Sequence, residues 1–279
     1  MTTRPFSQVD VFASGPLAGN PVAVVHDAAG LDDAQLAAFA SWTNLSETTF
    51  LLPPTDPRAD YRVRIFTPAT ELPFAGHPTL GTAHAWLGRG GLPRSADVVV
   101  QECGIGLVEV RRTPDGLAFA APELLRSGPV DPGTLDRAVA SLRVDPERVV
   151  DAAWVDNGPG WLGIRLASAA DVLGLTPDFV AMGELEIGVL GPHRPGGPAD
   201  YEVRAFVPGF SVPEDPVTGS LNAGFAVWLV GEGLAPSSYT VRQGTALGRR
   251  GDVRISTDDD GRIWVGGSSV TLIEGDLTL

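Results

Sequence analysis

The sequence predicts an α+β protein, because strand-like runs are many and short, helical runs are few, and no regular strand–helix–strand alternation joins them. It also predicts a duplication. Arg64-Ile-Phe-Thr-Pro68 and Arg204-Ala-Phe-Val-Pro208 share the form Arg-x-Phe-x-Pro. Each is followed by a short loop and a Pro-x-x-Gly run, Pro78-Thr-Leu-Gly81 and Pro216-Val-Thr-Gly219. Each then enters an apolar helical stretch with a Trp-Leu pair, Trp86-Leu87 and Trp228-Leu229. Coincidence among common residues is the plain alternative to two related lobes.

Taken in order, residues 6–12 read as a strand, SGPLAGNP as a turn, and 22–26 as a second strand. Asp32 and Asp33 offer caps for a helix over 34–42, where apolar residues recur at helical spacing. Glu47-Thr-Thr-Phe-Leu-Leu is a β-rich run stopped by Pro53-Pro54, and 61–66 alternates with period two. After a loop of proline and glycine, 79–88 reads as helix, and 98–100, 106–111 and 117–120 as short strands. A proline-rich link then leads to a helix at 134–142, with strands near 152–155, 161–166 and 187–190. Residues 201–206 alternate again, and the loop after them opens a helix near Gly219. The remainder, at 239–243, 253–256, 263–266 and 270–273, reads as strand.

Composition narrows the chemistry. A length of 279 residues suffices for one large domain or two lobes with real cores. The net charge of −14, from 20 basic and 34 acidic residues, repels nucleic acid and anionic membrane surfaces. A small anionic substrate stays open, since local amide dipoles outweigh a diffuse potential. The N-terminus carries no long apolar stretch of the signal-peptide kind, and no apolar run approaches the roughly 20 residues of a membrane span, so a cytoplasmic protein is expected. All 20 basic side chains are arginine. Without lysine there is no Schiff-base chemistry and no phosphate-loop lysine. Cys103 is the one cysteine, which excludes a disulfide framework, a cysteine cluster for zinc and a paired-thiol racemase. Carboxylates, imidazoles, hydroxyls and backbone dipoles remain.

The two matched loops each lead to a helix N-terminus, where unpaired N–H groups and the positive dipole end favour an anion, and glycine lets it approach. Such termini can clamp a carboxylate without lysine or arginine. Alternatively, the glycines only pack helices. The loops carry ionisable groups at places read as corresponding: His77 in Ala-Gly-His-Pro-Thr-Leu-Gly and Asp215 in Glu-Asp-Pro-Val-Thr-Gly-Ser, with Ser220 starting the helix. A structural histidine and an N-capping aspartate are the plainer readings. Glu47, in Asn-Leu-Ser-Glu-Thr-Thr-Phe, stands before an apolar strand, a setting that can raise a carboxyl pKa toward neutrality and suit it to proton transfer. A surface or helix-terminal glutamate would look the same.

Gly-Asn-Pro-Val-Ala-Val-Val (19–25), Asn-Leu-Ser-Glu-Thr-Thr-Phe (44–50), Arg-Ile-Phe-Thr-Pro…Glu-Leu-Pro-Phe-Ala-Gly-His-Pro-Thr-Leu-Gly-Thr-Ala (64–83), Glu-Asp-Pro-Val-Thr-Gly-Ser (214–220) and Arg-Gln-Gly…Leu-Gly-Arg (242–249) stand in one order. In this the chain resembles, nearly end to end, the PhzF family of phenazine-biosynthesis-like isomerases, within the diaminopimelate-epimerase-like fold. The resemblance implies two similar lobes, each a curved, mostly antiparallel sheet wrapped around a central helix. Their expected limits are 1–118, completed by a last strand at about 268–279, and 119–267. It also implies that Glu47 takes a proton from one carbon and returns it to another, as in a double-bond migration in a small unsaturated or cyclic carboxylate. His77 and Asp215 would assist, while Gly76, His77, Thr218, Gly219 and Ser220 hold the substrate. No cofactor and no metal are expected, and a homodimer is. Related epimerases use two cysteines, which this chain lacks. One departure bears on substrate: the family's dihydro-hydroxyanthranilate isomerases carry Asn-Gly-Pro-Arg, whereas Gly160 follows Asn157-Gly-Pro here.

Two other readings stay open. An epimerase would return the proton to the same carbon from a second acid, His77 or Asp215. A non-catalytic carboxylate-binding protein would keep the clamp without the chemistry. Two decoys are set aside. Gly158-Pro-Gly-Trp-Leu-Gly163 fits a dinucleotide fingerprint but is followed by a strand-like run, and His77 and His84 lack a third ligand nearby.

Overall fold

Alternating burial turns the period-two runs into strands. Along residues 61–66, Tyr61, Val63 and Ile65 are buried, while Arg62 and Arg64 face partly outward. The computed structural model describes residues 2–209 and 213–279 and divides into two units, Met1–Ala120 with Gly266–Leu279, and Ala121–Val265.

The first unit runs β1 (Thr3–Val11), β2 (Asn20–Val25), α1 (Asp33–Thr43), β3 (Glu47–Leu52), β4 (Tyr61–Phe66), β5 (Glu71–Leu72), α2 (Gly76–Gly88), β6 (Val98–Cys103), β7 (Gly106–Thr113) and β8 (Gly116–Ala120), with the C-terminal strand Ser269–Thr278. Across the sheet the order is C-terminal strand, β1, β2, β3, β4, β6, β7, β8, antiparallel except at β2–β3 and β4–β6. α2 touches β1, β2, β3, β6, β7 and β8, so strands far apart in the sheet meet one helix and the sheet curls around it. Gly81 permits that approach, since a Cβ there would sit 2.3 Å from Val22 Cγ1. α1 starts at a capping box: Gln35 N donates to Asp32 Oδ1 at 2.9 Å and Asp32 N to Gln35 Oε1 at 3.1 Å. It buries Leu36, Phe39 and Ala40 against Phe50 and Phe66, and Asn44, at φ 53°, ends it in the left-handed region.

The second unit runs β9 (Arg126–Pro129), α3 (Pro132–Leu142), β10 (Val149–Asp156), β11 (Leu162–Leu166), α4 (Ala169–Leu173), α5 (Phe179–Met182), β12 (Ile187–Pro192), β13 (Tyr201–Phe206), β14 (Glu214–Asp215), α6 (Gly219–Gly231), β15 (Ser238–Gln243), β16 (Gly251–Thr257) and the start of β17 (Ile263–Gly267), whose last two residues fall in the first unit. Its order is β9, β10, β11, β12, β13, β15, β16, parallel only at β11–β12 and β13–β15. α6 lies on β10, where a Cβ on Gly224 would be 2.3 Å from the Val155 carbonyl oxygen.

From the C-terminal strand to β7 and from β9 to β16 the strand patterns are the same, and the ladders give residue equivalences. Thr48 pairs with Phe66 and Ile187 with Phe206, so Thr48 matches Ile187 and Glu47 matches Glu186. The Arg-x-Phe echo is a repeated packing unit, in which Arg64 and Arg204 each lie over the phenylalanine two residues on, at 5.1 and 4.9 Å, and bond both oxygens of a glutamate, Glu71 and Glu214. α2 and α6 each have 13 residues, begin and end with glycine, and carry Gly81 and Gly224 at the same place.

That register corrects the Pro-x-x-Gly alignment. Pro78 and Gly81 lie inside α2, which starts at Gly76 and not at 79, whereas Pro216 precedes α6. Proline in a first helical turn withholds an N–H that no carbonyl there needs, so it did not delay the helix. His77 therefore matches Ser220 and not Asp215. Asp215 sits on β14 opposite Ala205, where the first unit has Leu72 opposite Ile65. The loop after Pro208 that the echo expects includes Phe210, Ser211 and Val212, which lie outside the described residues.

Candidate functional site

Glu47 opens β3, and the parallel ladder sets it beside Val22 of β2. His77 is the second residue of α2. Its Nε2 lies 3.2 Å from Glu47 Oε2, with side-chain exposures of 5% and 16%. Its Nδ1 faces the Asn20 side-chain amide at 3.3 Å. Burial lowers the His77 pKa to about 3, opposed by a hydrogen bond to the Pro21 carbonyl. The imidazole is therefore neutral at physiological pH, and it lies against the glutamate as a neutral ring and not as a cation, the two facing atoms standing close without hydrogen-bond geometry.

α2 has Ala75 as N-cap, with no side-chain capping bond, and so does α6 with Thr218. The other four helices are capped by Asp32, Asp131, Ser168 and Asp178. The two central helices thus leave their first amides, at Gly76 and His77 and at Gly219 and Ser220, without a side-chain oxygen of the cap residue.

In the second unit Asp215 Oδ2 accepts from Thr218 Oγ1 at 2.5 Å. Gln243, fully buried, binds this corner together. Its Oε1 accepts from Thr218 N at 3.1 Å and Asn222 Nδ2 at 2.9 Å, and its Nε2 donates to Thr218 Oγ1 at 2.9 Å and the Asp215 carbonyl at 3.1 Å. The Thr218 hydroxyl is thus spent on positioning Asp215. Ser220 Oγ accepts from Trp161 Nε1 at 3.0 Å, and the Ser220 carbonyl accepts from Asn157 Nδ2 at 2.8 Å. The glycines that resembled a dinucleotide fingerprint are followed by β11, a strand.

Of the residues singled out in the sequence, Glu47, Gly76 and His77 come together in the first unit, and Asp215, Thr218, Gly219 and Ser220 in the second. Asn20, Gln243, Trp161 and Glu186 were missed. Asn20 and Gln243 stand inside two recognised motifs, Gly-Asn-Pro-Val and Arg-Gln-Gly, and that was the available signal.

The buried histidines carry a pH dependence. Burial lowers His77, His84 and His26, the last to about 4, and the His26 Nε2 meets Ser7 Oγ at 3.0 Å. A base with a depressed folded-state pKa binds fewer protons folded than unfolded. Its stabilisation is full above about 6.5 and is lost as pH falls toward the folded values. The unfolding free energy from urea titrations should therefore drop between pH 7.5 and 5, by about 1–2 kcal/mol for each of His26 and His77. His26→Gln and His77→Gln should each flatten that fall. Wild-type slopes in both variants would exclude this cause.

A family model described as phenazine biosynthesis-like protein, PhzC-PhzF, matches residues 9–275. The chain is 36% identical to "Antisense-enhancing sequence 1" of Schizosaccharomyces pombe, over 99% of each chain. It is 33% identical to the trans-2,3-dihydro-3-hydroxyanthranilate isomerase of Pseudomonas chlororaphis, over 97% of this chain and 98% of that one. Among solved structures, a phenazine biosynthesis protein PhzF family member from Enterococcus faecalis matches with a TM-score of 0.82 and 25% identity, over 100% of both chains. No helix among the described residues is long and apolar enough to cross a membrane.

Proposed function

Because the chain belongs to the phenazine-biosynthesis-like PhzC-PhzF family and is an isomerase of the PhzF type, we propose that it shifts a proton within a small unsaturated or cyclic carboxylate, moving a double bond without a cofactor. The observation that carries this reading is the contact of Glu47 with a neutral, buried His77 at the uncapped end of α2. Glu47 is the base that takes the proton and the acid that returns it. His77 orients that carboxylate through its neutral ring. The amides of Gly76 and His77 offer hydrogen bonds to negative charge that builds as the carbon loses its proton.

Within the second unit, Asp215 is the further acid–base or orienting group, held by Thr218, and Gly219 and Ser220 bind substrate through the helix end and the hydroxyl. A single base returns the proton to the face it came from, so the transfer is suprafacial. The relative from Pseudomonas chlororaphis is named for a dihydro-hydroxyanthranilate. Gly160, standing where arginine is expected for that substrate, favours a different carboxylate for this chain. The same reading takes the enzyme to be a cytoplasmic homodimer that binds neither metal, nucleic acid nor membrane.

The test begins with a thermal-shift screen of unsaturated and cyclic amino acids and related carboxylates, since a true ligand raises the melting temperature. Each stabilising compound is then incubated with the enzyme in deuterated water and its product solved by NMR. A product with a displaced double bond, labelled if at all at the carbon that gained the proton, is expected. An unchanged skeleton with inverted configuration and label at the α-carbon would make the protein an epimerase, and binding without conversion would remove the catalytic reading.

A further inference from the structure

Glu186 occupies in the second unit the place that Glu47 occupies in the first, by ladder register, yet no motif marks it. Its side chain is half-buried, and its Oε2 is shielded from solvent and has no hydrogen-bond partner among the described residues. A buried carboxyl oxygen left so is costly when charged and tolerable when the group carries a proton.

The surroundings favour the proton. Leu162 N donates to the Glu186 carbonyl at 2.9 Å, which sets Glu186 next to Trp161. From β10 the charge bearing on it is Asp156. From β9, Arg126 pairs with Asp156 in the ladder, but its guanidinium lies over the Trp154 ring at 3.4 Å. β13 is followed by apolar Val207, and Glu184 on the same segment is exposed. Burial first, and the Asp156 charge second, raise Glu186 to about 7.

Asp156 is also the anchor of the turn before β11. Its Oδ1 accepts from Gly158 N at 2.7 Å and Gly160 N at 2.8 Å, and both glycines have positive φ, 144° and 103°. That turn delivers Asn157 to the Ser220 carbonyl and the Trp161 indole to the Ser220 hydroxyl. Asp156, the 157–161 turn and Ser220 are one hydrogen-bonded cluster, and Glu186 adjoins it through the Leu162 amide and the Asp156 charge.

We propose that Glu186 is a positioning residue for Ser220, a carboxyl that holds a proton so that Asp156 can seat the 157–161 turn and Trp161 can hold the serine hydroxyl. When Glu186 ionises, its charge repels that of Asp156. Asp156 then shifts, and the two bonds to Ser220 loosen. The role of Ser220 in binding substrate rests on the function proposed above, but the coupling of Glu186 to Trp161 does not need it.

The experiment reads the Trp161 indole N–H by ¹H–¹⁵N NMR, assigned by its loss in Trp161→Phe, between pH 5.5 and 8.5 in the absence of ligand. The wild-type resonance should titrate with a midpoint near 7, and in Glu186→Gln, neutral at every pH, it should stay still. A static wild-type signal, or the same titration in Glu186→Gln, overturns the proposal. If Glu186→Gln folds poorly, the Glu186 carboxyl carbon in ¹³C-glutamate-labelled wild type reports directly, with a midpoint below 5 refuting the idea and one near 7 upholding it. Once a substrate is in hand, KM should rise above pH 7 in wild type and not in Glu186→Gln, with kcat little changed in the variant. Because the NMR arm uses no substrate, its failure is separate from any failure of the isomerase reading.

Discussion

Glu47→Gln should lower turnover by about 10²–10⁴-fold while leaving ligand-induced thermal stabilisation close to that of wild type. Glutamine has the shape of glutamate and can still meet His77 Nε2 across the 3.2 Å contact. It cannot take a proton from carbon at neutral pH. Fold and binding therefore survive, and only the chemical step suffers. His77→Gln should cost less, because a neutral imidazole with a pKa of about 3 orients the carboxylate without exchanging a proton at pH 7. The check is kcat for both variants beside their melting temperatures with and without ligand. Equal turnover in wild type and Glu47→Gln would end the assignment of Glu47 as the base. Loss of ligand stabilisation in the variant would make Glu47 a binding group instead.

Much of this arrangement was legible in the residues, for reasons that differ by element. β4 and β13 are readable because each buries one face, so period two is written into Tyr-Arg-Val-Arg-Ile-Phe and Tyr-Glu-Val-Arg-Ala-Phe. α1 is readable because its cap and its apolar stripe are local. α2 and α6 are harder, since they are buried on nearly every side and carry no polar face to fix a period. The start of α2 was misplaced because Pro78 looks like a loop residue, although it stands in the first turn. The two-residue strands β5 and β14 have no signal of their own and exist because Glu71 and Glu214 reach back to an arginine on the neighbouring strand. Glu186 is hidden for another reason. Its segment, Glu-Leu-Glu-Ile-Gly-Val, shares only the glutamate itself with Leu-Ser-Glu-Thr-Thr-Phe, and only ladder partners separated by some 20 residues reveal that it stands where Glu47 does.

The repeated arginine–glutamate pair should split sharply on mutation, although its sequence motif is the same in both units. Arg204→Ala should destabilise the protein by about 3–5 kcal/mol, and Arg64→Ala by about 1 kcal/mol or less. Arg204 and Glu214 side chains are only 7% and 8% exposed. Arg204 Nε and Nη2 donate to the two glutamate oxygens at 2.8 and 2.7 Å, and Nη1 donates to the Leu175 carbonyl at 2.8 Å. Removing the guanidinium leaves a buried carboxylate and a buried carbonyl without their donors. Arg64 makes equally short bonds to Glu71 and Asp33, but the three side chains are 27%, 41% and 84% exposed, so water replaces what is lost. Urea denaturation of the two variants at pH 7 measures the contrast, and similar losses would refute burial as its cause. Arg204→Met with Glu214→Leu should regain most of the deficit, because both charges leave together. Glu214 and Asp215 pair with Phe206 and Ala205. Arg204→Ala should therefore also release β14 and displace Asp215, so that its activity falls further than its folded fraction, while Arg64→Ala keeps the two in step.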